Sequence, residues 1–335
     1  DQCGSRGLGD VYKRQGFSGA SRASTSCLEV TLCRDGIVES LHRVHAVVCD
    51  LRGRVLMSAG QPGFEAFIRS AQKPFQALPF LSSGAAAAMD CGDRGIAISC
   101  ASHSGSTVHA REAFKLLWQA DLDVGLLQCP VPSGAESALQ YNCSGKHAAF
   151  LATSRKMSWP LETYLQSDHP LQQEVNRRIA ELLGLPPDEL VASRDDCGAP
   201  TLRLQLSQMA LLYAHLGASE QAELEQISRA MLAHPDLVAG EGRFDTELML
   251  RSHGQVLSKG GAEGIQCLSR VGEGLGVAIK VEDGSRRAKH AVALHLLRQL
   301  EWLMPLSLDD LEEQVLKINP GVTLHVQGSL EFQKG

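Results

Sequence analysis

The pattern of apolar and polar positions predicts strands at both ends of the chain. Leu28 to Leu32 alternates apolar and polar residues as a half-buried strand does, and Asp35-Gly36 then supplies a turn. Further strand patterns occur at 45–49, 54–58, 255–257, 264–271, 276–281 and 322–332. The first three strand segments are close in sequence and predict an antiparallel meander.

Apolar residues at helical spacing predict helices in the middle of the chain. Pro74 is compatible with a helix because proline is tolerated in the first turn. Asp168 and Pro170 mark another helix start. The predicted helices span 71–81, 109–120, 168–183, 203–216, 219–233 and 286–303. Strands at both ends with helices between them predict an α+β fold of the kind in which terminal segments share one antiparallel sheet and the middle forms a helical lobe.

The first 26 residues differ from the rest. They are rich in Gly, Ser and Arg and show neither structural period, and DVYKRQ at 10–15 resembles translated linker sequence. We therefore expect a disordered arm over 1–26, partly of non-native linker, and a single domain over 27–335 with a sheet-containing lobe and a helical lobe.

Composition narrows the class of protein. The 335 residues are 44% hydrophobic with a net charge of -6, so the chain lacks the cationic surface that nucleic acid requires. No apolar stretch approaches the ~20 residues of a membrane span. The 10 cysteines are dispersed and no signal sequence precedes them, which favours buried thiols in a reducing cytoplasm over disulfides.

The strongest local signal for chemistry is RSAQKPF at 69–75. Ser70 stands at a predicted helix start, and Lys73 lies one turn later on the same face. A serine becomes nucleophilic when a base takes its proton, and a desolvated neutral lysine can do so. Penicillin-binding proteins and class A β-lactamases use Ser-x-x-Lys in this way. On its own, the tetrad is more simply explained by an N-cap serine followed by an exposed lysine.

Two further segments have residues that could carry chemistry, and the small hydroxyl-bearing residues of the first could line a pocket floor. CASHSGS at 100–106 follows the apolar run 96–98, which predicts a strand-to-helix junction, and SKGGAEG at 258–264 resembles the lysine-glycine strand of serine β-lactam enzymes. A helix-capping loop and a glycine-rich hairpin with a solvated lysine are the structural alternatives. The phosphate-loop pattern is absent from the sequence.

Two turn-like segments contain cysteines among polar residues, NCSGKH at 142–147 and DDCGAP at 195–200. A thiolate, a lysine and a carboxylate near one point could bind a metal or a substrate. Two Asx-type turns with incidental cysteines explain the same residues. Spacing alone favours two buried cysteines and a solvated lysine.

Taken together, five segments in order resemble the thermolabile type II L-asparaginase family first described from rhizobia. They are RSAQKPFQ at 69–76, CASHSG at 100–105, NCSGKH at 142–147, DDCGAPT at 195–201 and SKGGAEG at 258–264. The resemblance runs from about Leu28 to the C-terminus. It implies a β-lactamase/glutaminase-like fold, a homodimer, and hydrolysis of L-asparagine to L-aspartate and ammonia.

The resemblance also implies residue roles. Ser70 and Lys73 correspond to nucleophile and base, and Ser102 and Lys259 to a second Ser-Lys pair. Between the two serines, the helical spacing to Lys73 favours Ser70 as the acylated one. The zinc ligands correspond to Cys143, Lys146 and Cys197. One zinc ion per subunit is expected to position substrate, since the Ser-Lys pairs already supply a nucleophile.

A zwitterionic amino acid needs a charge complement for each of its ends. Arg69 is a candidate partner for the α-carboxylate, and Asp195 is one for the α-ammonium or for orienting a metal ligand. His147 is a further candidate contact with substrate. Two other functions remain open: a serine β-lactam-type acyl transferase or peptidase, and a zinc- or amino-acid-binding protein without catalysis.

Overall fold

The computed structural model of the chain describes residues 25–316 and 319–333. Nearly all of the predicted arm, residues 1–24, therefore lies outside the described residues. The strands are β1 (Leu28–Arg34), β2 (Ile37–Asp50), β3 (Val55–Ala59), β4 (Glu65–Phe67), β5 (Val191–Arg194), β6 (Pro200–Gln205), β7 (Val256–Gly260), β8 (Ile265–Arg270), β9 (Leu275–Val281), β10 (Val322–Gln327) and β11 (Glu331–Phe332).

Short 3₁₀ turns occur between some of the helices, and the turn at Arg69–Gln72 contributes to the site. The helices are α1 (Lys73–Gln76), α2 (Leu78–Ser82), α3 (Ala85–Ala88), α4 (Asp93–Ser99), α5 (Thr107–Gln119), α6 (Ser144–Lys156), α7 (Pro170–Leu183), α8 (Leu206–Ala218), α9 (Ala222–Ala233), α10 (Pro235–Val238), α11 (Phe244–Arg251), α12 (Arg286–Gln299) and α13 (Pro305–Leu316). None of the described helices is long and apolar enough to cross a bilayer.

Strands from both ends of the chain form one antiparallel sheet of eight strands, which confirms the predicted α+β fold. Its main order is β10-β1-β2-β9-β8-β7, with β3 beside β2 and β11 beside β3. The long strand β2 pairs with β1 through its first half and with β3 and β9 through its second half. A smaller sheet, in the order β4-β6-β5, lies apart from it.

The large sheet is buried on both faces along β7, β8, β9 and the second half of β2, because these strands alternate between two cores. In β2, Val47 and Cys49 belong to the core shared with the helical lobe, whereas Val44, Ala46 and Val48 face the core under α12 and α13. On the helical-lobe face, α8 crosses β9 at Gly276, where a β-carbon would overlap Ala210 O of α8. The absence of a side chain at Gly276 thus permits close contact between helix and sheet.

Proline and glycine explain where several helices begin and end. Pro74 lies in the first turn of α1, as predicted. The predicted helix over 71–81 is divided at Ala77, and Pro79 stands in the first turn of α2, where its missing N–H is tolerated. Gly184 ends α7 in the left-handed conformation that favours glycine.

The sequence predictions are wrong at residues 96–98 and at the start of the helix over 203–216. Residues 96–98 belong to α4 and not to a strand, because a run of three apolar residues cannot distinguish the two periods. The predicted helix over 203–216 begins only at Leu206. Arg203 lies in β6, where Leu202 and Leu204 are buried while Arg203 and Gln205 are exposed, the period of a strand.

Candidate active site

Ser102 lies in the loop between α4 and α5, on the wall of a cavity of about 1040 Å³. Its backbone N–H donates to Val238 O at 2.8 Å, which fixes the loop against α10. Ser70, His103 and Asn142 line the same cavity. The cavity therefore joins the segments 69–76, 100–105 and 142–147 that the sequence singled out.

Two buried lysines meet at the hydroxyl of Ser102. Lys73 Nζ lies 2.9 Å from Ser102 Oγ and donates to Ala101 O at 2.6 Å. Lys259 Nζ lies 2.8 Å from the same oxygen and donates to Gly260 O at 2.9 Å. Both lysines are 0% exposed. Two ammonium groups would leave the serine proton without an acceptor here, whereas one neutral lysine provides that acceptor.

The environment of Lys259 favours its neutral form. Burial, and then the neighbouring charge of Lys73, lower the pKa of Lys259 to about 7. Asp245 opposes this shift without cancelling it. A neutral amine is therefore populated near neutral pH, and it lies at hydrogen-bond distance from a serine hydroxyl, as a general base must.

Ser70 occupies a different environment from the one predicted. It lies in the 3₁₀ turn before α1, and its hydroxyl forms no hydrogen bond within 25–316 and 319–333. The helical spacing predicts that Lys73 lies beside Ser70. In the structure the Lys73 amine extends to Ala101 O and Ser102 Oγ, because a buried ammonium needs acceptors. The preceding residue, Arg69, has φ +53°, a strained left-handed conformation directly before a residue of the cavity wall.

The two predicted contacts for the ends of the substrate pair with each other. Arg69 Nε donates to Asp195 Oδ1 at 2.7 Å, and Arg69 Nη2 donates to Asp196 Oδ2 at 2.6 Å. Arg69 N–H also donates to Thr201 Oγ1 at 3.0 Å. These contacts tie the turn at 69–72 to the DDCG loop and place both loops beside Ser70.

The three predicted zinc ligands come together in the interior. Cys143 precedes α6, Lys146 lies in its first turn, and Cys197 comes from the loop between β5 and β6. Lys146 Nζ donates to Cys197 Sγ at 3.0 Å, and Cys143 Sγ lies 3.0 Å from Asn142 Oδ1. All three ligand side chains are buried. The alternative of a solvated lysine is therefore wrong.

Electrostatics in this cluster favour a thiolate. A hydrogen bond from Cys197, with the nearby charges of Lys73 and Lys146, holds the pKa of Cys143 well below its usual range. Burial alone would lower the pKa of Lys146, but Cys197 and Cys143 raise it overall. The cluster thus combines a thiolate-forming cysteine with a cation.

His147 follows Lys146 in α6 and is 0% exposed. Its Nδ1 lies 2.7 Å from Tyr164 Oη, and burial lowers the pKa of His147 to about 4. Its Nε2 is buried and has no hydrogen-bond partner within the described residues. His147 therefore lies behind the cysteine cluster and not on the cavity wall.

Sequence reasoning missed Asp245, which lines the cavity at the start of α11 and bonds to both neighbours of Lys259. The only signal for it is an acidic residue in the first turn of a helix, which is common on any protein surface. Nothing in the sequence indicates that α11 packs against β7.

Comparison with known proteins gives one decisive match. A model of the L-asparaginase II family matches residues 30–332. No curated protein sequence matches the chain. Among solved structures, a protein named Mglu aligns with TM-score 0.49 and 12% identity over 78% of this chain and 68% of that chain. A β-lactamase from Mycobacterium bovis aligns with TM-score 0.38 and 12% identity over 78% of this chain and 95% of that chain.

Proposed function

The chain belongs to the L-asparaginase II family, and from this premise we propose that it hydrolyses L-asparagine to L-aspartate and ammonia through Ser102. The family assigns it to the amide hydrolases; the substrate and the serine are our proposal. The observation that carries the proposal is the pair of buried lysines within 2.9 Å of a cavity-lining serine hydroxyl. Such a hydroxyl can lose its proton to a neutral neighbour as it attacks.

In the proposed reaction, Ser102 Oγ attacks the side-chain amide carbon while its proton passes to Lys259. Lys73, held at the same oxygen as a cation, stabilises the developing negative charge. Lys259 then donates the proton to the leaving nitrogen, the C–N bond breaks and ammonia departs. Water attacks the resulting aspartyl ester with Lys259 again as base, which releases aspartate and restores the serine.

This assignment differs from the sequence prediction, which placed the nucleophile at Ser70. Ser102 is preferred because both lysine Nζ atoms contact it. Ser70 lies on the same cavity wall and is assigned to contact with the substrate.

Arg69 is proposed to bind the α-carboxylate. One of its two ion pairs is with Asp196, whose side chain is 80% exposed. A pair exposed on one side contributes little, so a substrate carboxylate can replace it at small cost. Asp195 stays bound to Arg69 Nε and is proposed to face the α-ammonium. His147 is fully buried, and its role as a contact with substrate would be indirect.

Zinc fits the cluster of Cys143, Lys146 and Cys197. Two thiols and an amine are a suitable donor set, and the neighbouring His147, which interacts with Cys197, has a buried Nε2 without a hydrogen-bond partner among the described residues. Lys146 would have to lose its proton to bind metal. When bound, zinc would supply a fixed positive charge beside the substrate. A homodimer and a cytoplasmic location are part of the same proposal, tested by light scattering and by cell fractionation.

A coupled assay of ammonia release from L-asparagine tests the proposal. We expect turnover by the wild type and a loss of about 10³-fold or more in Ser102→Ala. L-Glutamine and a chromogenic β-lactam are the comparison substrates. Folded, zinc-loaded protein that releases no ammonia from asparagine would contradict the proposal. Turnover of the β-lactam instead would support an acyl transferase, and binding of asparagine without turnover would support a sensor.

A further inference from the structure

The carboxylate of Asp245 holds both neighbours of Lys259 in β7. Its Oδ1 accepts a hydrogen bond from Ser258 Oγ at 2.7 Å, and its Oδ2 accepts one from Gly260 N–H at 2.9 Å. Gln266 Nε2 donates to the same Oδ1 at 2.8 Å. One side chain from α11 thus holds the side chain of the residue before the lysine and the backbone of the residue after it.

These contacts determine where the Lys259 amine lies. The amine reaches Ser102 from a strand in which the residues directly before and after the lysine are both bonded to Asp245. Lys289 from α12 completes the arrangement by donating to Gly261 O at 2.8 Å and to Ile265 O at 3.0 Å. The glycine at position 260 leaves room for it, since a β-carbon there would lie 2.9 Å from Lys289 Nζ and 3.3 Å from Asp245 Oδ2.

We propose that Asp245 is a positioning residue, which holds Lys259 against Ser102 and balances the charge of the buried lysines around it. The inference rests on the proposed function only in taking Lys259 as the base for Ser102. Asp245 itself touches no reacting atom in this scheme.

The charged and titratable groups facing Lys259 come from several elements. They are Lys73 of α1, Asp245 of α11, Lys289 of α12 and the thiols of Cys100, Cys143 and Cys267. Among these groups Asp245 is the carboxylate, and it raises the pKa of Lys259 against burial and the two cations. Burial alone would raise the pKa of Asp245, but Lys259 and Lys289 lower it.

The substitution Asp245→Asn tests the effect of the negative charge separately from the effect of the hydrogen bonds. Gln266 Oε1 is buried and has no hydrogen-bond partner within the described residues. In Asp245→Asn, rotation of the Gln266 amide would let this oxygen accept from the new amide NH₂. The new amide oxygen still accepts from Gly260 N–H. Asp245→Asn therefore removes the negative charge and keeps the hydrogen bonds that hold the residues around Lys259, whereas Asp245→Ala removes both.

The experiment measures two rates against pH for each variant. One is ammonia release from L-asparagine, and the other is labelling of Ser102 by a fluorophosphonate, located by mass spectrometry. In the labelling, the serine oxygen bonds to phosphorus, fluoride leaves and the serine proton passes to Lys259. Asp236→Asn is the matched control, because it removes one exposed carboxylate from the neighbouring helix α10.

In Asp245→Asn, we expect the rising limb of both rate profiles to move to lower pH by about one unit, as loss of a neighbouring opposite charge requires. Asp245→Ala should lower kcat by about 10-fold or more at little changed KM, because the base is no longer fixed. The control should follow the wild type. Unchanged limbs in Asp245→Asn, or losses that only track the fraction of folded protein, would overturn the inference.

The two readouts also separate this inference from the proposed function. Labelling of Ser102 without ammonia release would refute asparagine hydrolysis and still report on Asp245 through the labelling profile. If the fluorophosphonate does not label Ser102 in the wild type, Lys259 does not activate this serine, and the proposed role of Asp245 is wrong.

Discussion

Lys259→Met is expected to slow amide hydrolysis strongly and to stabilise the fold at neutral pH. The lysine is fully buried, and its pKa is lowered from 10.5 to about 7, mainly by burial. At 1.36 kcal/mol per unit, the protonated form costs the folded state about 5 kcal/mol. Methionine has similar length and removes this cost. The loss of the hydrogen bonds to Ser102 and Gly260 destabilises the variant by about 1 kcal/mol each. The net gain expected below pH 7 is about 3 kcal/mol.

The sign of the pH dependence follows from proton linkage. Below pH 7 the lysine is protonated in both the folded and the unfolded chain, so its full cost is present. Between pH 7 and 10.5 the folded protein releases the proton while the unfolded chain keeps it, and the cost declines. Above pH 10.5 it is gone. The advantage of Lys259→Met should therefore be large at pH 6 and absent at pH 10.

Urea unfolding of wild type and Lys259→Met at both pH values measures this difference. Ammonia release, assayed in parallel at pH 8, should fall by a factor of about 10² to 10⁴, the contribution typical of a general base. Three outcomes would contradict this prediction. The methionine variant could be less stable than the wild type at pH 6, its gain in unfolding free energy could be the same at both pH values, or its turnover could be near normal.

Three further changes probe the surroundings of the site. Gly145→Ala would place a methyl group inside van der Waals distance of Ile98 O. Despite the better helix propensity of alanine, we expect a loss of about 1–3 kcal/mol by thermal unfolding, and no loss would show that α6 can move from α4. Cys143→Ala, like chelation, should weaken affinity for asparagine more than it lowers kcat; protein without zinc but with full affinity would exclude the metal site. Arg69→Ala should raise KM for asparagine by about 10-fold or more, and an unchanged KM would place the carboxylate contact elsewhere.

The fold was predictable in segments where the apolar residues follow a single structural period, that of a strand or that of a helix. Strand β1 alternates strictly, and its residues Leu28, Val30 and Leu32 are buried as the alternation requires. Both ends of helix α7 are marked in the sequence, by Pro170 at its start and by Gly184 directly after its end. Such segments specify their own structure locally, so their pairing into a terminal sheet followed from fold-level rules.

Helix α6 was not predictable in the same way. Its first 11 residues, from Ser144 to Ser154, are all buried, polar ones included. A helix buried on every side shows no apolar stripe, and a polar sequence then resembles a loop. The residues NCSGKH were accordingly interpreted as a turn, although the structure makes Cys143 the residue before a helix.

The arrangement of the site depended on packing that no single segment encodes. The spacing of Ser70 and Lys73 suggested a pair within one helix, but the buried Lys73 amine takes its acceptors from the loop after α4. Asp245 reaches Lys259 only because α11 packs beside β7. Contacts between distant segments decide which serine meets which lysine, and local sequence patterns do not contain them.

The proposed reaction passes through an aspartyl ester, so the serine that carries the aspartyl group is the nucleophile. Wild type, Ser70→Ala and Ser102→Ala are mixed with L-asparagine, quenched in acid within milliseconds, digested and analysed by mass spectrometry. We expect an aspartyl ester on the peptide containing Ser102, in the wild type and in Ser70→Ala, and none in Ser102→Ala. An ester on Ser70, still formed when Ser102 is alanine, would contradict it.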